Sequence, residues 1–209
     1  MKTVAVVLLL FSFDLYIAEK LKCYECQGRN AEYCKGKTTE CPDGRSCMTV
    51  YEKSGFNHTY HSIEKRCALN LKCNHSMYAY ANDDVYYDLA YDCCESDLCN
   101  NGTFVVKNRT YPYDGPECPS CSSYDTLEVC KPVTNTICRS KDDHCTILVG
   151  LMEKPDGVLT NFSARGCMSN LSCDHEYSQT IGYKMKKIKI QSCWLPELKH
   201  QPEHEKEGE

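Results

Sequence analysis

No segment of this chain carries a helical repeat of useful length, and its longest stretches between cysteines are rich in strand-forming residues instead. Cys47 to Glu52 (CMTVYE) and Thr59 to Cys67 (TYHSIEKRC) form two such arms, joined by Ser54, Gly55, Phe56 and Asn57, a pattern that predicts a hairpin. Cys145 to Met152 (CTILVGLM) and Val158 to Cys167 predict a second hairpin. They are joined through Lys154, Pro155, Asp156 and Gly157, where Pro pre-sets the turn and Gly tolerates a positive φ. Met77 to Tyr91 alternates tyrosines with small and acidic residues, and Lys184 to Ile190 interleaves lysines with Met185, Ile188 and Ile190. An all-β fold follows from these patterns. The one continuous apolar run, Val4 to Phe11, follows Lys2 and gives way to polar residues, as in a secretory signal peptide spanning residues 1–18 and cut after Ala18. A membrane span needs about 20 apolar residues, and Asp14, Glu19, Lys20 and Lys22 interrupt the run too early for that.

Composition sharpens the picture. The chain has 209 residues and 18 cysteines, so the mature protein is about 9% Cys, a density that excludes an ordinary cytosolic enzyme. With 5 Phe and 1 Trp against 15 Tyr, large apolar cores are not expected, and crosslinks must supply what burial does not. The net charge is −5, and neither half of the chain is strongly basic, so nucleic-acid binding is excluded.

The cysteines also reveal a duplication. Cys23, Cys26, Cys34, Cys41, Cys47, Cys67 and Cys73 have 2, 7, 6, 5, 19 and 5 residues between them, followed by 19 more to the pair Cys93 and Cys94 and 4 more to Cys99. Cys118, Cys121, Cys130, Cys138, Cys145, Cys167, Cys173 and Cys193 have 2, 8, 7, 6, 21, 5 and 19. The intervals agree within two residues, which defines modules at 21–100 and 117–194, the second lacking the terminal two-cysteine loop. Residues 101–116 (NGTFVVKNRTYPYDGP) read as an exposed linker and 195–209 as a charged tail. No apolar stretch follows that tail, so neither a lipid anchor nor another membrane anchor is expected.

Leu21-Lys22-Cys23-Tyr24-Glu25-Cys26 at the start of the first module and Cys93-Cys94-Glu95-Ser96-Asp97-Leu98-Cys99-Asn100 at its end resemble the Ly6/uPAR three-finger superfamily. Spacing alone leaves the pairing open, since eight cysteines already allow 105 connectivities. The resemblance implies Cys23 with Cys47, Cys26 with Cys34, Cys41 with Cys67, Cys73 with Cys93 and Cys94 with Cys99. In the second module it implies Cys118 with Cys145, Cys121 with Cys130, Cys138 with Cys167 and Cys173 with Cys193. It also implies that Asn100 hydrogen-bonds back to the core, with no counterpart in the second module. Within the superfamily, two tandem modules with the second truncated and ending in a basic strand resemble the gamma-type phospholipase A2 inhibitors. The implied function is a secreted, non-enzymatic binding protein that sequesters secreted phospholipase A2 and can form homo- or hetero-oligomers. An extracellular ligand or co-receptor binder of the urokinase-receptor type, or a structural secreted protein, uses the same fold.

Site chemistry points the same way. Cys23-x-x-Cys26 and Cys118-x-x-Cys121 have zinc-like spacing, but the secretory pathway oxidises such thiols. The seven histidines are scattered, with no nucleophile, metal or phosphate motif around them, so no catalytic residue and no cofactor is expected. Six Asn-x-Ser/Thr sequons stand at Asn57, Asn74, Asn101, Asn108, Asn161 and Asn170 as candidate glycosylation sites. A glycan at Asn57, near a hairpin tip, would obstruct a toxin-like insertion into a receptor pocket. Candidate partner contacts are Tyr78, Tyr80, Tyr86 and Tyr87 on the tyrosine-rich finger and Phe104, Val105, Val106, Tyr111 and Tyr113 in the linker, because tyrosines join apolar area to a hydroxyl. That finger has no Lys or Arg, whereas the finger carrying Lys184, Lys186, Lys187 and Lys189 is basic, so the two could face each other.

Overall fold

The computed structural model describes residues 20–69, 73, 75–103, 111–173, 177 and 180–196. The first module has six strands, β1 (Lys22–Gly28), β2 (Lys37–Glu40), β3 (Arg45–Phe56), β4 (Thr59–Leu69), β5 (Ser76–Asn82) and β6 (Val85–Cys94), closed by a 3-10 turn at Cys99–Asn101. The second has β7 (Glu117–Tyr124), β8 (Thr134–Ile137), β9 (His144–Glu153), β10 (Leu159–Met168), the single helical turn α1 (Asn170–Cys173) and β11 (Lys184–Trp194). All strand pairs are antiparallel. Hairpins β1–β2, β3–β4 and β5–β6 are the three fingers of the first module, and β7–β8 and β9–β10 repeat the first two of them.

Each module hangs on a cluster of sulfurs. The structure joins Cys23 to Cys47, Cys26 to Cys34, Cys41 to Cys67, Cys73 to Cys93 and Cys94 to Cys99. In the second module it joins Cys118 to Cys145, Cys121 to Cys130, Cys138 to Cys167 and Cys173 to Cys193, and no cysteine is left free. Cys23, Cys41, Cys47, Cys118, Cys138, Cys145 and Cys167 are all at or below 1% exposure, so the bridges serve as the core from which the fingers project. Each such crosslink contributes about 2–4 kcal/mol. Asn100 then locks the end of the first module onto its beginning: its Oδ1 accepts from the Tyr24 amide at 2.9 Å, and its Nδ2 donates to Tyr24 O at 3.0 Å.

The first hairpin turns later than its sequence suggests. Ser54, Gly55 and Phe56 continue β3, and the reversal falls at Asn57 and His58, with Asn57 in the left-handed region at φ 66°. Phe56 is the reason. Its ring is buried against Phe162 and Tyr183 of the second module, which holds the strand straight to its tip. In the second hairpin Gly157 adopts φ 86°, and Lys154 N donates to Val158 O across the turn.

The two modules are not beads on a linker. The hydrogen-bonded strand order runs β11-β9-β10-β5-β6-β3-β4-β1-β2, so one sheet passes from the second module into the first. The crossing is at β10 and β5, where Cys167 faces Tyr80 and Met168 faces Ala79; β7 takes the rest of that edge of β10. Over this seam a single apolar cluster draws Met48, Phe56, Tyr87 and Leu89 from one module and Met152, Phe162, Met168, Tyr183 and Met185 from the other.

Candidate functional site

Three polar constellations hold the seam. Glu52 on β3 is fully buried, and its carboxylate accepts from three successive amides of the second module, Ile181 N (3.0 Å) and Gly182 N (2.9 Å) on Oε2 and Tyr183 N (3.1 Å) on Oε1. Burial raises its pKa, and the three N–H donors with nearby Arg29 offset part of that rise. Gly182 permits the approach, since a Cβ there would lie 2.4 Å from Glu52 Oε1.

Arg29, just beyond β1, makes the second. Its Nη1 donates to Glu153 Oε1 at 2.7 Å and its Nη2 to the carbonyls of Lys154 and Gly182, both at 3.0 Å. Lys186 reaches Glu153 Oε2 at 2.6 Å. Between them Lys186 and Arg29 lower the Glu153 pKa to about 2. A depressed carboxylate stabilises the fold above its unfolded pKa and loses that contribution as pH falls from about 4.5 towards 2, so the bridge should survive mild acid. A titration of the Glu153 carboxyl carbon by NMR is expected to show a midpoint near 2 that moves up in Arg29→Gln; an ordinary midpoint in the wild-type protein would mean the bridge is not formed in solution.

The third centres on Arg139, which pairs with Asp88 of β6 (Nη1 to Oδ1, 2.5 Å) and lies over the rings of Tyr78 at 4.2 Å and Tyr111 at 4.6 Å. The Tyr78 hydroxyl donates to Asp143 Oδ2 and accepts from Arg139 N, and Tyr78 itself packs on the sulfur core of the second module beside Cys118, Cys138, Cys145 and Cys167.

The tyrosine-rich finger is therefore spent largely on the seam. Tyr78 and Tyr87, expected as exposed partner contacts, are 5% and 6% exposed because the second module covers them. Tyr80 is half-buried, its hydroxyl donating to Asp83 at 2.9 Å, and Tyr86 is half-buried beside Thr59 and Lys53. Tyr111 is half-buried under Arg139, whereas Tyr113 is 57% exposed. Phe104, Val105 and Val106 lie outside the described residues. The tyrosine finger is not hydrogen-bonded to the lysine finger, since β5 pairs with β10 and β11 with β9, but Tyr87 of the one and Met185 of the other share the apolar cluster of the seam. Among the sequons, Asn57, Asn101 and Asn170 are exposed and Asn161 is half-buried in β10, while Asn74 and Asn108 lie outside the described residues. The Cys-x-x-Cys pairs go to different bridges, so the thiolates of neither can share a metal.

Exposed apolar surface collects on the second module. Leu127 and Val129 in the loop of its first finger are exposed, and Val133 is 83% exposed. Lys189 Nζ donates to Leu127 O at 2.9 Å, which ties this loop to β11 and its exposed Lys187, Ile188 and Lys189. The sequence singles out the lysines of β11 but not this loop, whose apolar residues are interrupted by Glu128 and Lys131.

Two disulfide-centred β-modules with hairpins projecting from their sulfur cores define a tandem three-finger protein. The chain belongs to the u-PAR/Ly-6 domain family, which it matches at residues 19–102 and again at 114–196. Members of this family are typically binding proteins, extracellular or lipid-anchored, and generally not enzymes. The chain is similar to the protein RoBo-1 of Rattus norvegicus, with 29% identity over 91 residues that make up 44% of this chain and 36% of RoBo-1. It thus spans little more than a third of that relative's length. The crystal structure of mouse TEX101 is similar at 14% identity and a TM-score of 0.36, covering 83% of this chain and 99% of that one.

Proposed function

We propose that the protein is a secreted binding protein that sequesters a secreted phospholipase A2. The observation that carries a binding role is the mixed apolar and basic surface of the second module, where Leu127, Val129, Lys187, Ile188 and Lys189 are exposed together and joined by the Lys189 to Leu127 hydrogen bond. Exposed apolar area edged by charge is the composition of a protein-recognition patch, and the lysines select a partner face that carries carboxylates. The second module supports the reading: the pairing of β11 with β9 and the Cys121–Cys130 bridge across the Leu127 loop hold the patch on a preorganised frame, so little ordering entropy is lost on binding. The choice of phospholipase A2 rests on the tandem arrangement with a truncated second module. The inhibitor acts by covering the enzyme's lipid-facing surface and contributes no reacting group.

The oxidised, glycosylated protein, mixed in molar excess with secreted phospholipases A2 of several groups, is expected to suppress hydrolysis of phospholipid vesicles by at least one group. Charge reversal of the patch in Lys187→Glu/Lys189→Glu should weaken capture about tenfold or more, corresponding to at least about 1.4 kcal/mol. Undiminished lipase activity across all groups would count against the phospholipase. Capture from serum of a protease, an integrin or a growth factor, lost in the same double variant, would move the reading to a binder of the urokinase-receptor type.

A further inference from the structure

Among the described residues three strands, β2, β8 and β11, pair on one side only, and their open edges are not alike. β2 carries Lys37 and Glu40 at its ends. β11 carries Lys184, Lys186, Lys187 and Lys189, and its register shifts between Met185 and Lys187 and again between Ile188 and Ile190. Charges and bulges are the devices by which a native sheet keeps a second chain from pairing with its edge. β8, Thr134-Asn135-Thr136-Ile137, has neither.

That edge is also bare. Thr134 and Asn135 are exposed, Val133 just before them is 83% exposed and Ile137 54%, and only Thr136 is half-buried. The loop before the strand is held towards β10 instead, where the Cys130 amide donates to Ser163 Oγ. Cys138 N donates to Pro116 O, which sets the phase of the ladder with β7. In an antiparallel pair alternate residues exchange hydrogen bonds, so Thr134 and Thr136 turn their backbone groups to β7, and Asn135 and Ile137 turn theirs outward.

What fits an open edge is another strand, and β8 fits itself. Laid antiparallel on a second copy about a twofold axis at Asn135, Val133 falls opposite Ile137 of that copy, and Thr134 opposite Thr136. Apolar meets apolar, threonine meets threonine, and no charge is set against a like charge, whereas two copies of β11 would bring lysines together. At the axis Asn135 and its counterpart face each other with outward backbone groups and exchange both hydrogen bonds. Pro132 on one side, and on the other Arg139, held at the seam by Asp88, confine the ladder to residues 133–137.

We propose that β8 is the docking edge for a second copy of this chain, so that β7 and β8 of two molecules form one continuous antiparallel sheet across a twofold axis. The ladder is short, and the dimer is accordingly weak and reversible. It does not use the lysines of β11, so it stands or falls independently of the partner that they select.

Sedimentation velocity of the intact, fully oxidised chain, over a series reaching about 100 µM, is expected to show a monomer–dimer equilibrium. Ile137→Lys puts a charge on the edge, and Asn135→Pro removes an outward amide at the cost only of the exposed side-chain bond to Glu117. Each should weaken dimerisation about tenfold or more, while Lys187→Glu/Lys189→Glu should change it by less than about twofold. Ile137 is an exposed side chain, so its variant stays folded and decides the matter even if the Pro variant does not fold. A wild-type chain that remains monomeric throughout the series would overturn the proposal, as would a dimer that persists unchanged in Ile137→Lys.

Discussion

Replacing Glu52 with alanine is expected to release the second module from the first while every disulfide stays closed. Among the described residues the Glu52 carboxylate is the acceptor for the amides of Ile181, Gly182 and Tyr183, and truncation would leave these three buried N–H groups without it. At about 1–3 kcal/mol for each unmet buried donor, the loss comes to several kcal/mol, a large share of the roughly 5–15 kcal/mol that holds a typical domain. Glu52→Gln keeps the volume and one accepting oxygen, and should fall between the two. The pH dependence separates charge from shape. Because burial raises the Glu52 pKa in the folded state, the folded protein binds this proton more tightly than the unfolded chain does. The stabilisation it brings is complete below about 4.5 and is lost as pH rises through the folded value. The advantage of the wild-type protein over Glu52→Gln should therefore narrow as pH rises above the ordinary carboxylate range. Urea unfolding across that range gives the difference directly, and amide exchange at Ile181, Gly182 and Tyr183 locates it. Wild-type exchange at those amides in Glu52→Ala would show that apolar packing alone holds the segment.

What the sequence discloses and what it hides divide along contact range. The spacing of Cys23 to Cys73 against Cys118 to Cys173 is a local signal repeated at a fixed interval, so the two modules, their hairpins and the all-β class can be read from it. The seam has no such signal. Glu52 ends the arm CMTVYE, and nothing in the sequence marks its role, because its partners are backbone amides 129–131 residues away, and backbone donors leave no mark on composition. Phe56 reads as part of a turn for the same reason: only the second module explains its burial. The tyrosine finger is the instructive case. Its alternation is correct for a strand, with Tyr87, Leu89 and Tyr91 on the inward face of β6, but alternation cannot say whether the covering surface is another module or another protein. One signal was available. A finger with five tyrosines and four acids but no Lys or Arg needs a cation from elsewhere, and Arg139 supplies it across 51 residues.

The second large effect belongs to Gly166, next to the residue where the sheet crosses between modules. A methyl group on its Cα would lie 2.1 Å from Tyr80 O and 2.8 Å from Ala81 Cα, both backbone atoms of β5. No side-chain rotation relieves such a clash, so β10 and β5 must part. The ladder between them is short, Cys167 to Tyr80 and Met168 to Ala79, and has no length over which to absorb a shift. Gly166→Val is accordingly expected to cost at least the roughly 1–3 kcal/mol typical of overpacking. Its mark should be regional. Amides of β5 and the end of β10 lose exchange protection, while those around Asn100 and the pairs Cys23–Cys47 and Cys41–Cys67 keep it, because that knot is closed within the first module. Capture of a protein partner is the control. The exposed patch is built on β11 and the loop containing Leu127, wholly within the second module, so capture of a protein partner should persist. A Gly166→Val protein with wild-type exchange at Ala79 and Tyr80 would show that the sheet does not cross between the modules in solution.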